Sequence, residues 1–354
     1  DVFQLSTELH SEVITRLKVL SGLRTDEHQA AQDGRLRFTT QPEKNAKTAV
    51  HFDIRVSIVP TYYGENAVLR LLVEQGESFT LESLGYNKRD LEVVKRAVTK
   101  PYGMILVSGP TGSGKTTSLY AILKILNTPT VSIITIEDPI EYSLEGIDQI
   151  QVNSQTGLTF ANGLRSILRQ DPNIVMVGEI RDEETAKIAV NAALTGHLLL
   201  STLHTNDAAT ALPRLIDMDV EPFLIASTIN IIIGQRLVRK ICSDCRVKKK
   251  LTVSELASLG QSLGQNIPKE LNEDKDIFYY GKGCPACVNT GYLGRIGIHE
   301  VIEMTEAVRE GVMARLNATE IKKIARSEGM TTMFEDGFQK VIKGVTTMDE
   351  LLRV

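Results

Sequence analysis

The sequence predicts an α/β fold, in which helices cover a mostly parallel sheet. Three observations predict this fold. Short apolar runs alternate with helical stretches from Met104 onward, a glycine-rich loop stands between the first such run and the first such helix, and a strictly alternating strand precedes both. Strands that alternate with helices are typical of parallel sheets with helices on their faces.

The first 95 residues or so predict a small α+β unit. Ser6–Leu20 carries apolar residues at helical spacing, and Val50–Ile58 alternates apolar and polar residues as a half-buried strand does. Ala67–Val73 predicts a second strand. Leu91–Val98 predicts a short helix, which should end before Pro101.

The next part of the chain predicts the α/β core. Its strands are predicted at Met104–Val107, Val131–Ile136, Ile174–Val177 and His197–Thr202. Its helices are predicted at Lys115–Leu126, Phe160–Arg169, Glu183–Leu194 and Ala208–Met218. Further on, Gly281–Gly297 is rich in turn residues, and the chain after Val301 predicts amphipathic helices.

The composition excludes several classes of protein. A chain of 354 residues with 42% hydrophobic and 24% charged residues has a large core and is not disordered in bulk. Its 40 basic and 44 acidic residues give a net charge of −4, so charge offers no argument for nucleic-acid binding. We expect no membrane-spanning helix and no secretory leader, and therefore a reducing cytoplasm. Because the chain begins at Asp1, we expect a fragment or a trimmed chain.

A phosphate-binding loop is the most specific motif. It consists of Gly109, Pro110, Thr111, Gly112, Ser113, Gly114, Lys115 and Thr116, followed by Thr117. Glycines let backbone N–H groups close around phosphate oxygens, and the following helix adds the positive end of its dipole. Lys115 should reach the β- and γ-phosphates of a nucleotide, and Thr116 should bind Mg²⁺. A glycine turn that merely caps a helix would not require the Lys-Thr pair.

Carboxylates follow two of the predicted strands. Glu137, Asp138 and Glu141 follow one of them, and Glu179 and Asp182 follow the other. Taken alone, such residues are more often solvated loop groups or helix caps. In a parallel sheet that also carries a phosphate loop, both clusters should converge on Mg²⁺ and the attacking water.

Two histidines flank the strand predicted at His197–Thr202. His197 opens this strand, and His204 follows it. A lone histidine usually serves packing or lies on the surface. Two histidines on one strand of this sheet could also sense the γ-phosphate or a neighbouring subunit.

The motifs together resemble the secretion-superfamily ATPases of the GspE/PilB type. These comprise type II secretion, pilus-assembly and pilus-retraction ATPases. The resemblance covers nearly the whole chain and rests on four boxes in order: GPTGSGKTT, TIEDPIE, LRQDPNIVMVGEIRD and TGH…STLHT. It implies a RecA-like core that hydrolyses ATP with Mg²⁺, and it implies a homo-hexamer.

The resemblance also implies roles for single residues. Glu141 corresponds to the general base, Glu179 to the glutamate that supports Mg²⁺ through water, and His197 and His204 to the histidine box. Arg55 and Arg70 correspond to arginines of the preceding domain that approach the phosphates. Without the resemblance, these arginines could simply lie on a solvated strand face.

The chain departs from the family pattern at two positions. Asn173 stands where an aspartate is usual before the Glu179 box, and Asn66 stands where an arginine is common. The first should matter little. The second puts in doubt an additional phosphate contact from that turn, but not those of Arg55 and Arg70.

The four cysteines form two C-x-x-C knuckles. These cysteines are Cys242, Cys245, Cys284 and Cys287. Four thiolates suit a closed, structural Zn²⁺ site, and the alternative is four free thiols. A redox role is less expected because no thioredoxin-like pattern surrounds the pairs. The insertion also resembles assembly rather than retraction ATPases, and its basic run Arg246–Lys250 is either a solvated face or a surface for a membrane platform.

The sequence thus predicts a cytoplasmic motor at the inner face of the inner membrane. It should power pilus or pseudopilus assembly through an inner-membrane platform protein and other proteins of the assembly complex, and no nucleic-acid partner is expected. The alternatives are a pilus-retraction ATPase, a RecA-like nucleic-acid motor, and a nucleotide-gated scaffold without turnover. The predicted parts are an N-terminal domain (1–98), a hinge (99–103), an ATPase core (104–240), a zinc insertion (241–297) and C-terminal helices (298–354).

Overall fold

The computed structural model describes residues 6–39, 51–73, 79–153, 156–250 and 277–354. Contacts divide the chain into two compact units. The smaller unit comprises the described residues of Asp1–Ser78 together with Glu141–Leu144, and the larger unit comprises those of Phe79–Ile140 and Glu145–Val354. Within these ranges, no helix has both the length and the apolar character needed to cross a membrane.

The described part of the smaller unit has a helix and a three-stranded antiparallel sheet of order β1-β2-β3. The elements are α1 (Thr7–Leu20), β1 (Gln32–Thr39), β2 (His51–Thr61) and β3 (Gly64–Val73). The hydroxyl of Ser6 accepts a hydrogen bond from the Leu9 N–H and caps α1. The predicted helix and both predicted strands are confirmed, although Val50 lies outside the described residues.

The core of the smaller unit lies between α1 and one face of its sheet. Val56 and Ile58 of β2 are buried there with Leu36 of β1 and Ile14 of α1. Because side chains alternate along a strand, Arg55, which directly precedes Val56, lies on the other face. This is the half-buried strand that the alternating pattern predicts.

The larger unit is built on a seven-stranded sheet. Its strands and those of a separate hairpin are β4 (Gly103–Ser108), β5 (Ile133–Glu137), β6 (Asp148–Gln151), β7 (Ile174–Val177), β8 (Leu198–Leu203), β9 (Ile229–Ile241), β10 (Arg246–Lys250), β11 (Ile277–Gly281) and β12 (Tyr292–Glu303). Its helices are α2 (Lys88–Val98), α3 (Lys115–Leu126), α4 (Phe160–Ile167), α5 (Glu183–Leu194), α6 (Ala211–Asp217), α7 (Pro222–Thr228), α8 (Glu306–Met313), α9 (Ala318–Ser327), α10 (Met333–Ile342) and α11 (Met348–Arg353).

The strand order of the large sheet is β12-β9-β4-β8-β7-β5-β6. Every neighbouring pair is parallel except β12 and β9. All residues of β4, β5, β7 and β8 are buried, as expected for parallel strands whose two faces are covered. The predicted fold class, a mostly parallel sheet with helices, is confirmed.

The C-terminal part completes the antiparallel edge of this sheet. Val238 of β9 and Ile298 of β12 pack with Phe338 and Val341 of α10 and with Leu351 of α11. The antiparallel hairpin of β10 and β11 lies between β9 and β12 in the chain. The cysteine knuckles stand at its base.

The predicted elements match the structure in part. The ranges 115–126, 174–177 and 183–194 are confirmed to the residue. The turn-rich interpretation of Gly281–Gly297 is wrong at its end, because β12 begins at Tyr292 and continues past Val301 to Glu303. The helices therefore begin only at Glu306.

The domain boundaries stay a prediction. By contacts, α2 belongs to the larger unit, although the sequence groups it with the N-terminal domain. A salt bridge of 2.9 Å joins Arg96 of α2 to Glu303 of β12. Residues 99–103, predicted as the hinge, lie within the larger unit, and Gly103 is the first residue of β4.

Candidate functional site

The phosphate loop connects β4 to α3. Gly109 has φ of +151°, and a Cβ there would stand 2.5 Å from the carbonyl oxygen of Gln235. Gly114 caps α3 with φ of +86°, a left-handed conformation that favours glycine. No side chain caps this helix. Its first N–H groups are therefore available to an anion.

Lys115 begins α3 and folds back over the loop. Its Nζ donates to the carbonyl oxygens of Gly109 at 2.8 Å and Pro110 at 3.1 Å. The side chain is buried, and this burial lowers the pKa of Lys115, while the negative charge of Glu179 opposes the shift. An ammonium group held by neutral carbonyls inside the loop suits a ligand of strong negative charge.

The acidic strand ends lie at the same edge of the sheet as this loop. Since β4, β8, β7 and β5 are parallel neighbours, their carboxyl ends meet there. Oε2 of Glu179 stands 3.1 Å from Nε2 of His204, which follows β8. Arg181 pairs with Glu179 and lies 3.7 Å from the carboxylate of Asp138. The structure thus brings Lys115, Glu179 and His204 to one edge.

His197 lies at the opposite edge. It directly precedes β8, and its carbonyl oxygen accepts a hydrogen bond from the N–H of Gly103 at the start of β4. Its Nδ1 is 3.0 Å from the carbonyl oxygen of Ala192. The six residues of β8 span about 20 Å, so the structure does not bring His197 to the phosphate loop. Its predicted contact with a neighbouring subunit stays a prediction.

The predicted arginines lie in a row across the sheet of the smaller unit. Arg55 of β2 is the register partner of Arg35 on β1 and of Arg70 on β3, so all three are on one face. Arg55 Nη2 stands 2.7 Å from Oε2 of Glu141, which belongs to the same unit. Asn66, which replaces the family's common arginine, is an exposed residue near the start of β3.

The four cysteines come together in the larger unit. Their sulfur atoms all lie within 4.8 Å of one another, and none forms a disulfide. The Sγ separations are 3.8 Å for Cys242 and Cys284, 3.9 Å for Cys245 and Cys287, and 3.6 Å for Cys284 and Cys287. Tetrahedral zinc with bonds of about 2.3 Å has sulfur–sulfur edges of about 3.8 Å. The residues therefore fit zinc.

The backbone of the knuckle supports a thiolate at Cys287. Burial opposes the charged form, but the N–H groups of Cys284 and Gly291 point at its Sγ from 3.2 and 3.3 Å. These hydrogen bonds lower the pKa of Cys287 to about 6. Amide donors to the ligand sulfur are the kind of surroundings that tune a thiolate metal site.

A family model described as "Type II/IV secretion system protein" matches residues 1–353. The chain belongs to this family. The predicted resemblance to secretion ATPases is thereby confirmed.

Curated relatives of this family match nearly the whole chain. "Type IV pilus assembly ATPase PilB" of Thermus thermophilus is 47% identical over 96% of the chain and 37% of its own length. "Type II secretion system protein E" of Xanthomonas campestris pv. campestris is 46% identical over 98% of the chain and 59% of its own length. The chain therefore spans less than two thirds of the length of each of these two relatives.

Solved structures share the fold. The Legionella pneumophila ATPase DotB superposes with a TM-score of 0.65 at 21% identity, covering all of this chain and 85% of that one. The pilus retraction motor PilT with bound ADP superposes with a TM-score of 0.62 at 26% identity, covering 90% of this chain and 77% of that one.

The sequence analysis placed Glu137 in the acidic cluster that should converge on Mg²⁺, but it did not predict that this carboxylate is buried and bound by protein groups. Glu137 ends β5 with its side chain inside the protein. The hydroxyl of Thr135 donates to it at 2.6 Å, the amide of Gln149 donates at 3.0 Å, and the hydroxyl of Tyr120 on α3 donates as well. Glu137 therefore ties the helix of the phosphate loop to the strand of the first acidic cluster. An acidic residue inside a buried apolar strand was the available signal.

Proposed function

We propose that this chain is the ATP-hydrolysing part of a motor that powers type IV pilus assembly or type II secretion. The observation that carries the proposal is the convergence of the phosphate loop, Lys115 and Glu179 at one edge of the sheet. The names of the Thermus and Xanthomonas relatives support it. The four-cysteine cluster supports assembly over retraction, because retraction ATPases of this family typically lack that insertion.

The reaction is the attack of water on the γ-phosphorus of ATP. The bond from this phosphorus to the oxygen bridging to the β-phosphate breaks, and ADP and phosphate leave. Lys115 exchanges its carbonyl partners for β- and γ-phosphate oxygens. Glu141 accepts the proton of the attacking water. Glu179 and His204 lie at the same edge of the sheet, where Glu179 supports Mg²⁺ through water and His204 senses the γ-phosphate. His197 contacts a neighbouring subunit.

The loop and the strand ends would also hold the magnesium ion of the nucleotide. Thr116 would bind this ion directly, and Glu179 would support it through water. When bound, Mg²⁺ neutralises charge on the phosphates. The four cysteines would hold Zn²⁺ as a closed structural site, which shapes the insertion and takes no part in the reaction.

Conversion of hydrolysis into movement is proposed to depend on Arg55 and Arg70. An arginine on a separate domain completes the site only when that domain closes, so closure depends on ATP and opening follows hydrolysis. The segment 99–103 would be the hinge. The working form is proposed to be a homo-hexamer at the cytoplasmic face of the inner membrane, where it acts on a platform protein.

Nucleotide binding and hydrolysis by the purified chain test the proposal. We expect Mg-dependent ATP hydrolysis by the wild type and loss of tight nucleotide binding or of turnover in Lys115→Ala. Lys323→Ala removes an exposed lysine from α9 and serves as the matched control. Wild-type turnover in Lys115→Ala would refute the assignment of the loop. Binding without hydrolysis, even when rings form, would indicate a scaffold instead of a motor.

A further inference from the structure

Gln235 is a buried polar residue in the middle of β9, the second strand from one edge of the large sheet. It follows six buried residues of β9 and is itself 2% exposed. A side-chain amide that is removed from water without partners costs free energy of folding. Its partners therefore show what this residue does.

Both polar groups of the Gln235 side-chain amide form hydrogen bonds, one with the phosphate loop and one with the helix that follows it. The Nε2 group donates to the carbonyl oxygen of Ser113 at 2.8 Å. The Oε1 atom accepts from the hydroxyl of Ser118 at 2.6 Å. The amide thus connects the last turn of the loop to the second turn of α3.

The backbone of the loop packs directly against the same residue. A Cβ at Gly109 would meet the carbonyl oxygen of Gln235 at 2.5 Å, and one at Gly114 would meet its Nε2 at 2.9 Å. A Cβ at Gly109 would therefore clash with the backbone of Gln235, and one at Gly114 would press on the end of its side chain. The phosphate loop therefore packs directly on Gln235.

The hydrogen bond to Ser113 also orients a peptide group. In a trans peptide, the carbonyl of one residue and the N–H of the next point in opposite directions. Because the Ser113 carbonyl points at Gln235, the Gly114 N–H points away from β9. Backbone N–H groups that face the inside of such a loop are the donors that hold phosphate oxygens.

We propose that Gln235 is a positioning residue that fixes the phosphate loop in its binding conformation before nucleotide arrives. The proposal rests on the proposed function, since it concerns the same site. Lys115 must leave the carbonyls of Gly109 and Pro110 to reach a phosphate, whereas the Gln235 bonds to Ser113 and Ser118 stay in place. A loop ordered in advance loses less conformational entropy on binding.

Equilibrium binding of a fluorescent ADP analogue to the whole chain tests this inference. Gln235→Leu removes both hydrogen bonds at nearly constant volume, and we expect it to weaken binding about tenfold. Ser118→Ala removes only one bond, and we expect a loss of about threefold. Thr346→Val is the matched control. It deletes a buried hydroxyl that donates to the carbonyl of Arg239, also on β9, at 2.8 Å.

The comparison separates positioning from stability. Thr346→Val should lower the melting temperature and leave ADP affinity within twofold of the wild type. If Gln235→Leu lowers the melting temperature to the same extent and binds ADP as the wild type does, Gln235 is structural and the inference is wrong. If the wild type binds no nucleotide, the proposed function fails instead.

A second variant serves if Gln235→Leu does not fold. Gln235→Glu retains the acceptor for Ser118, but its carboxylate cannot donate to the Ser113 carbonyl. Burial favours the neutral acid, which does donate. We therefore expect the ratio of its ADP dissociation constant to that of the wild type to shrink between pH 8 and pH 6. A raised ratio that stays constant over this range would contradict the inference.

Discussion

Arg55 and Glu141 form an ion pair of 2.7 Å within the smaller unit. Arg55 is the residue proposed to approach the γ-phosphate, and Glu141 is the proposed base. While the pair persists, the Arg55 guanidinium and the Glu141 carboxylate bind each other instead of a phosphate and a water molecule. In the proposed mechanism, both residues exchange partners before hydrolysis. This gives each of them a separate and measurable role.

Glu141→Gln should retain ATP binding and slow hydrolysis on the order of 10²-fold or more, because a positioned base is lost. Single-turnover rates and the affinity for a non-hydrolysable ATP analogue measure the two effects separately. Glu145→Gln is the matched control, since Glu145 is an exposed carboxylate four residues further along the chain. Loss of binding with unchanged hydrolysis per bound ATP would make Glu141 a metal or structural residue.

Arg55→Ala and Arg70→Ala should each lower turnover far more than nucleotide affinity. Each removes a charge that is needed only when γ-phosphate charge develops in the transition state. Arg16→Ala, which removes an exposed arginine from α1, is the control. Structures with ADP and with a non-hydrolysable ATP analogue complete the test. One domain orientation in both, or no arginine near the γ-phosphate in any subunit, would overturn the coupling model.

The sequence predicted the central strands well because their burial is uniform. In β4 and β8 all six residues are buried, and each strand contains an apolar run, at 104–107 in β4 and at 198–200 in β8. The first seven residues of β9 are buried too, but this strand follows α7 directly at Ile229, with no turn residue between them. Its second half is largely polar. Neither the alternation of a half-buried strand nor the spacing of a helix therefore marks β9 in the sequence. Its partner β12 was missed for another reason, because it begins within a segment rich in turn residues.

The phosphate loop and the cysteines were predictable because their chemistry is local in the sequence. Glu137 and Gln235 were not, because their roles depend on distant partners. Gln235 meets Ser118 across 117 positions of the chain, and Glu137 meets Tyr120 across 17. His197 is a different case. The sequence places it and His204 at the two ends of one strand, and β8 does separate the two by its whole length.

His204→Ala should lower turnover more than His197→Ala does. His204 lies 3.1 Å from Glu179 at the nucleotide edge, whereas His197 lies at the other edge. Glu179→Gln should raise the Mg²⁺ concentration needed for half-maximal turnover, because a carboxylate that supports the ion is lost. Turnover of the three variants, measured over a range of Mg²⁺ concentrations, tests both expectations. A larger loss of turnover in His197→Ala than in His204→Ala would contradict the inference that the histidine beside Glu179 matters more for hydrolysis.

Metal analysis of freshly purified, reduced protein should find about one zinc per chain, as one closed four-thiolate site requires. Chelator or low pH should remove it, because thiolates bind metal only when deprotonated. Removal should make the insertion more sensitive to protease and leave ADP affinity in place. Cys287→Ser should give the same result without chelator. Finding no zinc in freshly purified, reduced protein would contradict this prediction.

The last prediction concerns pH and the docking of α11. Glu350 is buried, which disfavours its charged form, but it accepts hydrogen bonds from Arg239 and Arg353. These bonds lower the pKa of Glu350 from 4.5 to about 2. For a carboxylate with a lowered pKa, the stabilisation is complete above the unfolded value near 4.5. It is lost as pH falls through the folded value near 2.

Urea unfolding of the wild type and Glu350→Gln should reveal this dependence. The free-energy difference between the two proteins should be at most about 3 kcal/mol at pH 7, since both arginines are half exposed and water weakens their attraction. At pH 3 it should fall to less than half. Taking the difference between two proteins at each pH removes the contribution of zinc loss, which both share. A difference that stays constant between pH 7 and pH 3 would show that Glu350 contributes packing rather than charge.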